Sequence, residues 1–237
     1  MDLVRLLSFG PDGWGDELLA GAWLTIRLAL ATLPLGLALG LLVALARRSD
    51  GRLLRAAGNA YSTIFRGLPE LLTIFIVYYG GQMLVQQIVS LFADPRQFQV
   101  NGFLAGMIAL GVVFSAYSSE VFLGAFGNIP RGQYEAAASL GLGRFATFRL
   151  VILPQLIRLA LPGLANLWLA LLKDTSLVSV IAIDDLLRMT GIAVRVSKEP
   201  FFFYGIACLL YLAMSMVSSI GIGAIERWSG RGQRRLA

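Results

Sequence analysis

The chain has 237 residues, of which 57% are hydrophobic and 14% are charged, whereas soluble domains carry about 25% charged residues. This composition excludes an ordinary soluble domain and predicts an integral membrane protein. With no histidine and a single cysteine, Cys208, the chain cannot form a His/Cys metal site or an internal disulfide. In a membrane protein, a net charge of +6 indicates the orientation of the loops rather than binding to nucleic acid.

Five apolar stretches are long enough to cross a bilayer core, which is about 30 Å thick and needs about 20 helical residues. They lie near residues 18–46, 71–92, 103–126, 161–183 and 201–225. Acidic residues dominate the segment before the first stretch, which is unlike a cleavable signal peptide, so this stretch is predicted to remain as a span. We therefore predict an all-α membrane protein in which residues 1–237 form a single transmembrane domain.

The positive charges are distributed unevenly between the two sides of the membrane that five spans define. Thirteen of the 20 Lys and Arg residues lie between spans one and two, between spans three and four, or after span five. Loops rich in Lys and Arg face the cytoplasm. This distribution predicts an N-terminus outside and a cytoplasmic C-terminus.

The segment 131–155, between spans three and four, has a pattern that a simple connecting loop does not need. Its alanine-rich part, residues 133–140, favours a short helix at the cytoplasmic surface. Gly141 follows where a helix commonly ends in a left-handed residue. The pair Leu153-Pro154 then stands close to the start of the next span.

The predicted short helix offers little side-chain bulk. Ala136, Ala137 and Ala138 leave its flank nearly bare, so that another backbone can approach closely. Glu135, near the start of the helix, is favoured by the helix dipole and can accept hydrogen bonds from a partner. An amphipathic connector resting on lipid headgroups is the alternative, but such a connector would need larger apolar side chains on one face.

The order of residues in this segment resembles the signature loop of ABC importer permeases. That pattern is Glu-Ala-Ala, three residues, Gly, nine residues, an aliphatic residue, one residue and Leu-Pro, with Val151 here in place of the usual isoleucine. In that family the loop forms a coupling helix that docks on a separate ATP-hydrolysing subunit. The resemblance implies that the following residues contact this ATPase: Glu135, Ala136, Ala137, Gly141, Leu153 and Pro154.

Three further stretches narrow the resemblance to the polar amino-acid permeases, and in particular to the histidine, lysine-arginine-ornithine and opine group. They are FRGLPELL (65–72), AYSSEVFLGAFGNIPRGQYEAA (116–137) and LPGLANLWLALLKDTSLVSVI (161–181). One departure is Leu123, where many relatives have arginine. The resemblance implies a type I ABC importer permease in a bacterial inner membrane. Its implied partners are an ATP-binding subunit dimer, a second permease subunit and an extracytoplasmic solute-binding protein.

No phosphate-binding P-loop is present in the sequence, because neither of its two lysines, Lys173 and Lys198, follows a glycine. We therefore expect no cofactor, metal or catalytic residue in this chain, with ATP and Mg²⁺ bound by the partner ATPase. A secondary transporter that works without an ATPase is the alternative. That class usually has inverted repeats and an even number of spans.

The substrate path is indicated by ionisable residues inside the spans, which are costly unless they face a cavity or a partner. Glu120 and Lys173 are both expected near the middle of the bilayer, and two interpretations of Glu120 stay open. It pairs with Lys173, or it belongs to a pocket for a cationic amino acid, and the two are compatible because a pair can open to admit a ligand. The predicted pocket residues are Glu120, Tyr117, Asp174, Thr175 and Ser176.

Other polar and small residues favour structural roles. Arg66 and Glu70, four residues apart, are expected to form a surface pair at the start of span two. Gly36 and Gly40 match the small-xxx-small pattern of close helix packing. An outer segment that begins at Asp184 is either a solvated helix or a contact for the binding protein.

Overall fold

The computed structural model describes residues 3–11, 13–91, 101–181 and 183–230, and within these ranges the regular secondary structure is helical. A 3-10 turn at Leu3–Leu7 precedes eight helices. They are α1 (Gly15–Arg47), α2 (Arg52–Gly67), α3 (Glu70–Val89), α4 (Gly102–Gly127), α5 (Arg131–Ser139), α6 (Arg144–Ile181), α7 (Leu186–Ser197) and α8 (Pro200–Gly230).

Five of these helices, α1, α3, α4, α6 and α8, are long and apolar enough to cross a membrane, which confirms the five predicted spans. The largest difference is in the fourth span, because α6 already begins at Arg144 rather than near residue 161. Some of the sequence predictions fall outside the described residues. These are residue 92 at the end of the second predicted span, residue 182 within the fourth, and the positive charges of Arg96, Arg231, Arg234 and Arg235.

Two spans contain a five-residue π-helical turn, at Ile76–Gly80 in α3 and at Phe148–Ile152 in α6. The second turn comes directly before Leu153 and Pro154. Proline has no N–H to donate to the carbonyl four residues earlier, so a local widening of the helix is expected there. Pro154 therefore modifies a continuous span and does not mark its foot, which corrects the boundary predicted from the sequence.

Helices α1 and α4 run parallel and pack closely through glycine. A Cβ atom at Gly36 would lie 2.5 Å from Phe114 Cδ1, and one at Gly40 would lie 1.9 Å from Ser118 Oγ. Ser118 Oγ also donates a hydrogen bond to the Gly36 carbonyl across the interface, at 3.3 Å. The predicted small-xxx-small contact is thus confirmed, and its partner helix is α4.

The two ends of the bundle differ in chemistry. We call one of them the arginine-rich end: it contains the ends of α1 and α4, the short helix α5 and the start of α6. The opposite end contains the start of α1, helix α7 and the start of α8, where Leu18, Leu186 and Phe203 pack in one apolar cluster.

Asp185 is a fully buried carboxylate at the opposite end. It caps α7, because its Oδ1 accepts a hydrogen bond from the Arg188 N–H at 3.0 Å. Its Oδ2 is also buried and has no hydrogen-bond partner in the described part of the chain. Burial is the main cause that raises the pKa of Asp185 to about 6.

We expect Asp185→Asn to stabilise the protein at neutral pH. The raised pKa means that the folded state retains a proton that the unfolded state releases, so stability falls as the pH rises from about 4 to about 6 and stays low above that. Asparagine keeps the helix cap without a charge. A pKa that is raised by one pH unit corresponds to a loss of about 1.4 kcal/mol in the free energy of unfolding at neutral pH. The unfolding temperature at pH 7.5 should increase by several degrees. In the variant, the fall in stability between about pH 4 and about pH 6 that is due to Asp185 should be absent.

The matched control is Asp184→Asn, which removes a neighbouring carboxylate that is exposed and paired with Arg188. This change should have little effect on the unfolding temperature. A lower unfolding temperature for Asp185→Asn than for the unmodified chain would contradict the argument from burial.

Candidate functional site

A cavity of about 250 Å³ lies between α3, α4 and α6. Most of its wall is apolar, and three polar side chains, Glu70, Tyr117 and Asp174, complete it. Two of the ten lining residues are acidic and none is basic. Its apolar residues are Ile74, Leu110, Val113, Phe114, Leu167, Ala170 and Leu171. A wall of this kind suits an organic cation that also has an apolar part.

Glu70 reaches this cavity because the chain breaks between α2 and α3. Leu68 has extended backbone angles (φ −89°, ψ 145°), as expected before a proline, and Glu70 is the first residue of the next helix. Helix α2, which precedes this break, packs along α4, because the Tyr61 hydroxyl lies 2.7 Å from Ser115 Oγ. The carboxylate of Glu70 thus stands inside the bundle, at a helix N-terminus that favours negative charge.

Asp174 lies where α6 narrows from an α-helix to the 3-10 turn Thr175–Ile181. Of the five predicted pocket residues, the structure brings Tyr117 and Asp174 to the cavity wall. Thr175 is buried beside it, and its hydroxyl donates to the Leu172 carbonyl at 2.7 Å. Neither Thr175 nor Ser176 is among the lining residues.

Glu120 pairs with two arginines from other helices. Its Oε1 accepts hydrogen bonds from Arg47 Nη1 at 2.8 Å and from Ser62 Oγ at 3.0 Å, and it also pairs with Arg66. Arg47 Nε donates further to Asn59 Oδ1 at 2.9 Å. This network joins α1, α2 and α4 on the side of the cavity that faces the arginine-rich end.

The surface pair predicted between Arg66 and Glu70 is therefore wrong, and so is the pair with Lys173, which was one of the two interpretations left open for Glu120. Glu120 pairs with Arg47 and Arg66 rather than with Lys173, which is exposed, and Arg66 does not pair with Glu70. The physical reason is α2, which lies against α4 and brings Arg66 to Glu120. Since Arg47 ends α1, Glu120 lies toward the arginine-rich end and not at the middle of the bundle.

The Glu120 network is adjacent to the cavity. Tyr117 lines the cavity and lies one helical turn before Glu120, and the Arg66 guanidinium carbon is 5.9 Å from the centre of the Tyr117 ring. The ion pairs thus lie between the cavity and the arginine-rich end.

Replacing Glu120 by glutamine should destabilise the chain by about 1 kcal/mol, because the partly buried Arg47 and the more exposed Arg66 lose their shared carboxylate. The measurement is the unfolding temperature of the purified chain in detergent. Glu135→Gln is the control, since it removes an exposed acid from the same end of the bundle. Equal unfolding temperatures for the two variants would show that the network does not hold the three helices together.

The short helix predicted in the segment 131–155 is confirmed as α5. Gly141 has a positive φ of 71°, the Leu142 N–H donates to the Ala137 carbonyl at 3.1 Å, and the Gly141 N–H donates to the Ala138 carbonyl at 2.9 Å. This is the Schellman arrangement, in which a left-handed glycine ends the helix. The helix begins at Arg131, two residues before the predicted start.

The exposed surface of this segment differs from the predicted one. Glu135, Ala136 and Gly141 are exposed, whereas Ala137 is 2% exposed and packs against the bundle. Leu153 is partly buried, and Pro154 is exposed within α6. Two large apolar side chains that sequence reasoning missed flank the turn: Leu140 is 79% exposed and Phe145 is 75% exposed.

Five spanning helices, an acidic cavity inside the bundle and an exposed short helix at one end define a membrane transport component. The chain belongs to the family of binding-protein-dependent transport system inner membrane components, whose model matches residues 36–231. It is thus the permease subunit of an ABC importer, a multi-pass protein of the bacterial inner membrane, and ATP hydrolysis lies in a separate subunit. The described residues contain no group of His, Cys, Asp and Glu side chains suited to a metal ion.

Full-length relatives support this assignment. The chain is 41% identical to the nopaline transport system permease protein NocQ of Agrobacterium fabrum, over 99% of both chains. It is 37% identical to the arginine ABC transporter permease protein ArtQ of Escherichia coli K12, over 92% of this chain and 97% of that one. A crystal structure of an amino acid ABC transporter with histidines superposes with a TM-score of 0.76 at 29% identity, covering 90% of this chain and 94% of the other.

Proposed function

We propose that this chain forms the translocation path for amino acids or opines that carry a guanidinium or ammonium group. The observation that carries this proposal is the cavity with Glu70 and Asp174 in its wall and no basic lining residue. The names of two relatives support it, because nopaline and arginine both contain a guanidinium group.

In this proposal the substrate cation lies between Glu70 and Asp174, and the ring of Tyr117 provides a face for a cation–π contact. The apolar wall contacts the aliphatic part of the substrate. The pair of Arg66 with Glu120 lies between the cavity and the arginine-rich end, so it must move before the substrate leaves on that side. The charge distribution of the loops supports a cytoplasmic location for this end.

Helix α5 is proposed to be the coupling helix that docks on a dimer of ATP-binding subunits, which bind ATP and Mg²⁺. Glu135, Ala136 and Gly141 provide a polar and nearly bare surface, and Leu140 and Phe145 provide two apolar anchors. The sequence pattern also assigns Ala137, Leu153 and Pro154 to this contact. In this proposal they act indirectly, by fixing the positions of α5 and α6 behind the docking surface. The link from Gln155 Nε2 to Gln133 Oε1, at 3.1 Å, supports such a connection.

Two further partners complete the proposed importer. One is a second permease subunit, either a sister chain or a second copy, for which the largely exposed apolar faces of α3 and α8 leave room beside lipid. The other is an extracytoplasmic solute-binding protein, for which the opposite end with α7 is the available surface.

The test is uptake of labelled arginine into proteoliposomes that contain this chain, its ATPase, its second permease subunit and its binding protein. We expect uptake to require ATP and to be lost when the ATPase is omitted. Uptake by this chain alone, driven by an ion gradient, would contradict the proposal and support a secondary transporter.

A further inference from the structure

A second cavity, of about 380 Å³, lies at the arginine-rich end between α1, α4, α5 and α6. It shares no lining residue with the substrate cavity. Its wall is largely apolar and includes the side chains of Leu45, Phe126, Leu142, Phe148 and Ile152. Nothing in the transport mechanism proposed above uses this cavity.

The charge of the second cavity is opposite to that of the first. Arg48 and Arg144 line it, and none of its ten lining residues is acidic. Within the described ranges neither of these arginines forms an ion pair with a carboxylate. The guanidinium carbon of Arg48 lies 4.3 Å from the centre of the Phe126 ring, which holds its positive charge at the wall.

A hydroxyl group of this cavity also lacks a partner. Tyr134, on α5, is a lining residue, and its hydroxyl oxygen is buried without a hydrogen-bond partner in the described part of the chain. A buried hydroxyl without a partner is unfavourable and rare in folded proteins. An acceptor group inside the cavity would satisfy the hydroxyl, in a wall that also contains Arg48 and Arg144.

The depth of the cavity indicates where that acceptor comes from. Leu45 and Phe126 lie in the last turns of two spanning helices, so the cavity is level with the headgroups of the adjoining leaflet. Guanidinium groups bind phosphate oxygens in a bidentate manner, and basic pockets between spanning helices bind anionic headgroups. The apolar wall is suited to the first part of an acyl chain.

We propose that this cavity binds the phosphate group of an anionic phospholipid from the leaflet at the arginine-rich end. Arg48 and Arg144 contact the phosphate oxygens, and the Tyr134 hydroxyl donates a hydrogen bond to the same group. Since Tyr134 belongs to α5 and Arg48 follows α1, the bound lipid connects the short helix to the spanning bundle. The position of α5 then depends on the lipid composition of that leaflet.

The test uses the full-length chain in detergent micelles that contain either phosphatidylglycerol or phosphatidylcholine, with bound lipid counted by native mass spectrometry. We expect the unmodified chain to retain phosphatidylglycerol in preference to phosphatidylcholine. The double variant Arg48→Gln/Arg144→Gln should reduce the retained phosphatidylglycerol at least tenfold. Tyr134→Phe, which removes only the hydroxyl, should reduce it about threefold without changing the fold.

The matched control is Arg52→Gln/Arg149→Gln, which removes two exposed arginines from the same region but outside the cavity. Equal loss of phosphatidylglycerol in the two double variants would overturn the proposal, because it would show attraction by general charge alone. The proposal would also be overturned if both variants, Tyr134→Phe and Arg48→Gln/Arg144→Gln, retained as much phosphatidylglycerol as the unmodified chain. Inorganic phosphate retained in lipid-free detergent, with no preference for phosphatidylglycerol, would assign the site to free phosphate instead.

Discussion

Replacing Asp174 by asparagine is expected to reduce the rate of arginine uptake at least tenfold at low substrate concentration. The carboxylate lines the cavity without a basic partner among the lining residues, so a substrate cation is the charge that would compensate it. A hydrogen bond that involves a charged group contributes about 1.5–3 kcal/mol, which corresponds to a factor of roughly 10 to 100. Glu70→Gln should have an effect of similar size.

Citrulline sharpens this measurement, because it has nearly the shape of arginine but a neutral ureido group. The Asp174→Asn and Glu70→Gln importers should discriminate less between arginine and citrulline than the unmodified importer does. The control is Asp184→Asn, which replaces an exposed acidic residue outside the cavity. It should leave the discrimination between arginine and citrulline unchanged. Unaltered preference for arginine in the Asp174→Asn variant, with normal assembly, would remove Asp174 from the substrate site.

The double replacement Leu140→Ser/Phe145→Ser is expected to weaken association with the ATP-binding subunit by a factor of about 100 or more. Both side chains are more than 70% exposed beside the turn that ends α5, which is an unfavourable position for a large apolar group that has no partner. Burying such a side chain contributes about 1.5–3 kcal/mol. The measurement is the amount of ATPase that copurifies, together with its dissociation constant.

Phe201→Ser is the control for this experiment. Phe201 is also largely exposed, but it lies in the first turn of α8 at the opposite end of the bundle. Its replacement should leave the association with the ATPase unchanged. If the double variant bound the ATPase as tightly as this control does, Leu140 and Phe145 would not be anchors of the proposed docking surface.

The features that sequence predicted well are local. Each apolar stretch of about 20 residues specifies a span by its own composition, and Gly141 ends α5 because only a residue without a Cβ adopts a positive φ at little cost. The contact of Gly36 and Gly40 with another helix also follows from their spacing alone. In each case the information lies within one helical segment.

The features that sequence missed depend on how separate segments meet. The partners of Glu120 come from α1 and α2, and no spacing along α4 indicates that α2 folds back beside it. Glu70 was assigned to Arg66 because the two are four residues apart, but that rule holds only within one continuous helix. The bend before Pro69 separates them and places Glu70 in the cavity wall.

At Gly36 and Gly40 the contact between α1 and α4 is too close to admit even a Cβ atom. Sliding one helix along the other by even about 1 Å would force side-chain atoms into the backbone, so these two helices must travel as a single rigid body. Any change of shape during transport then requires motion elsewhere in the bundle. Leu68 and Pro69, which separate α2 from α3, form one place where the chain can rotate without breaking a helix.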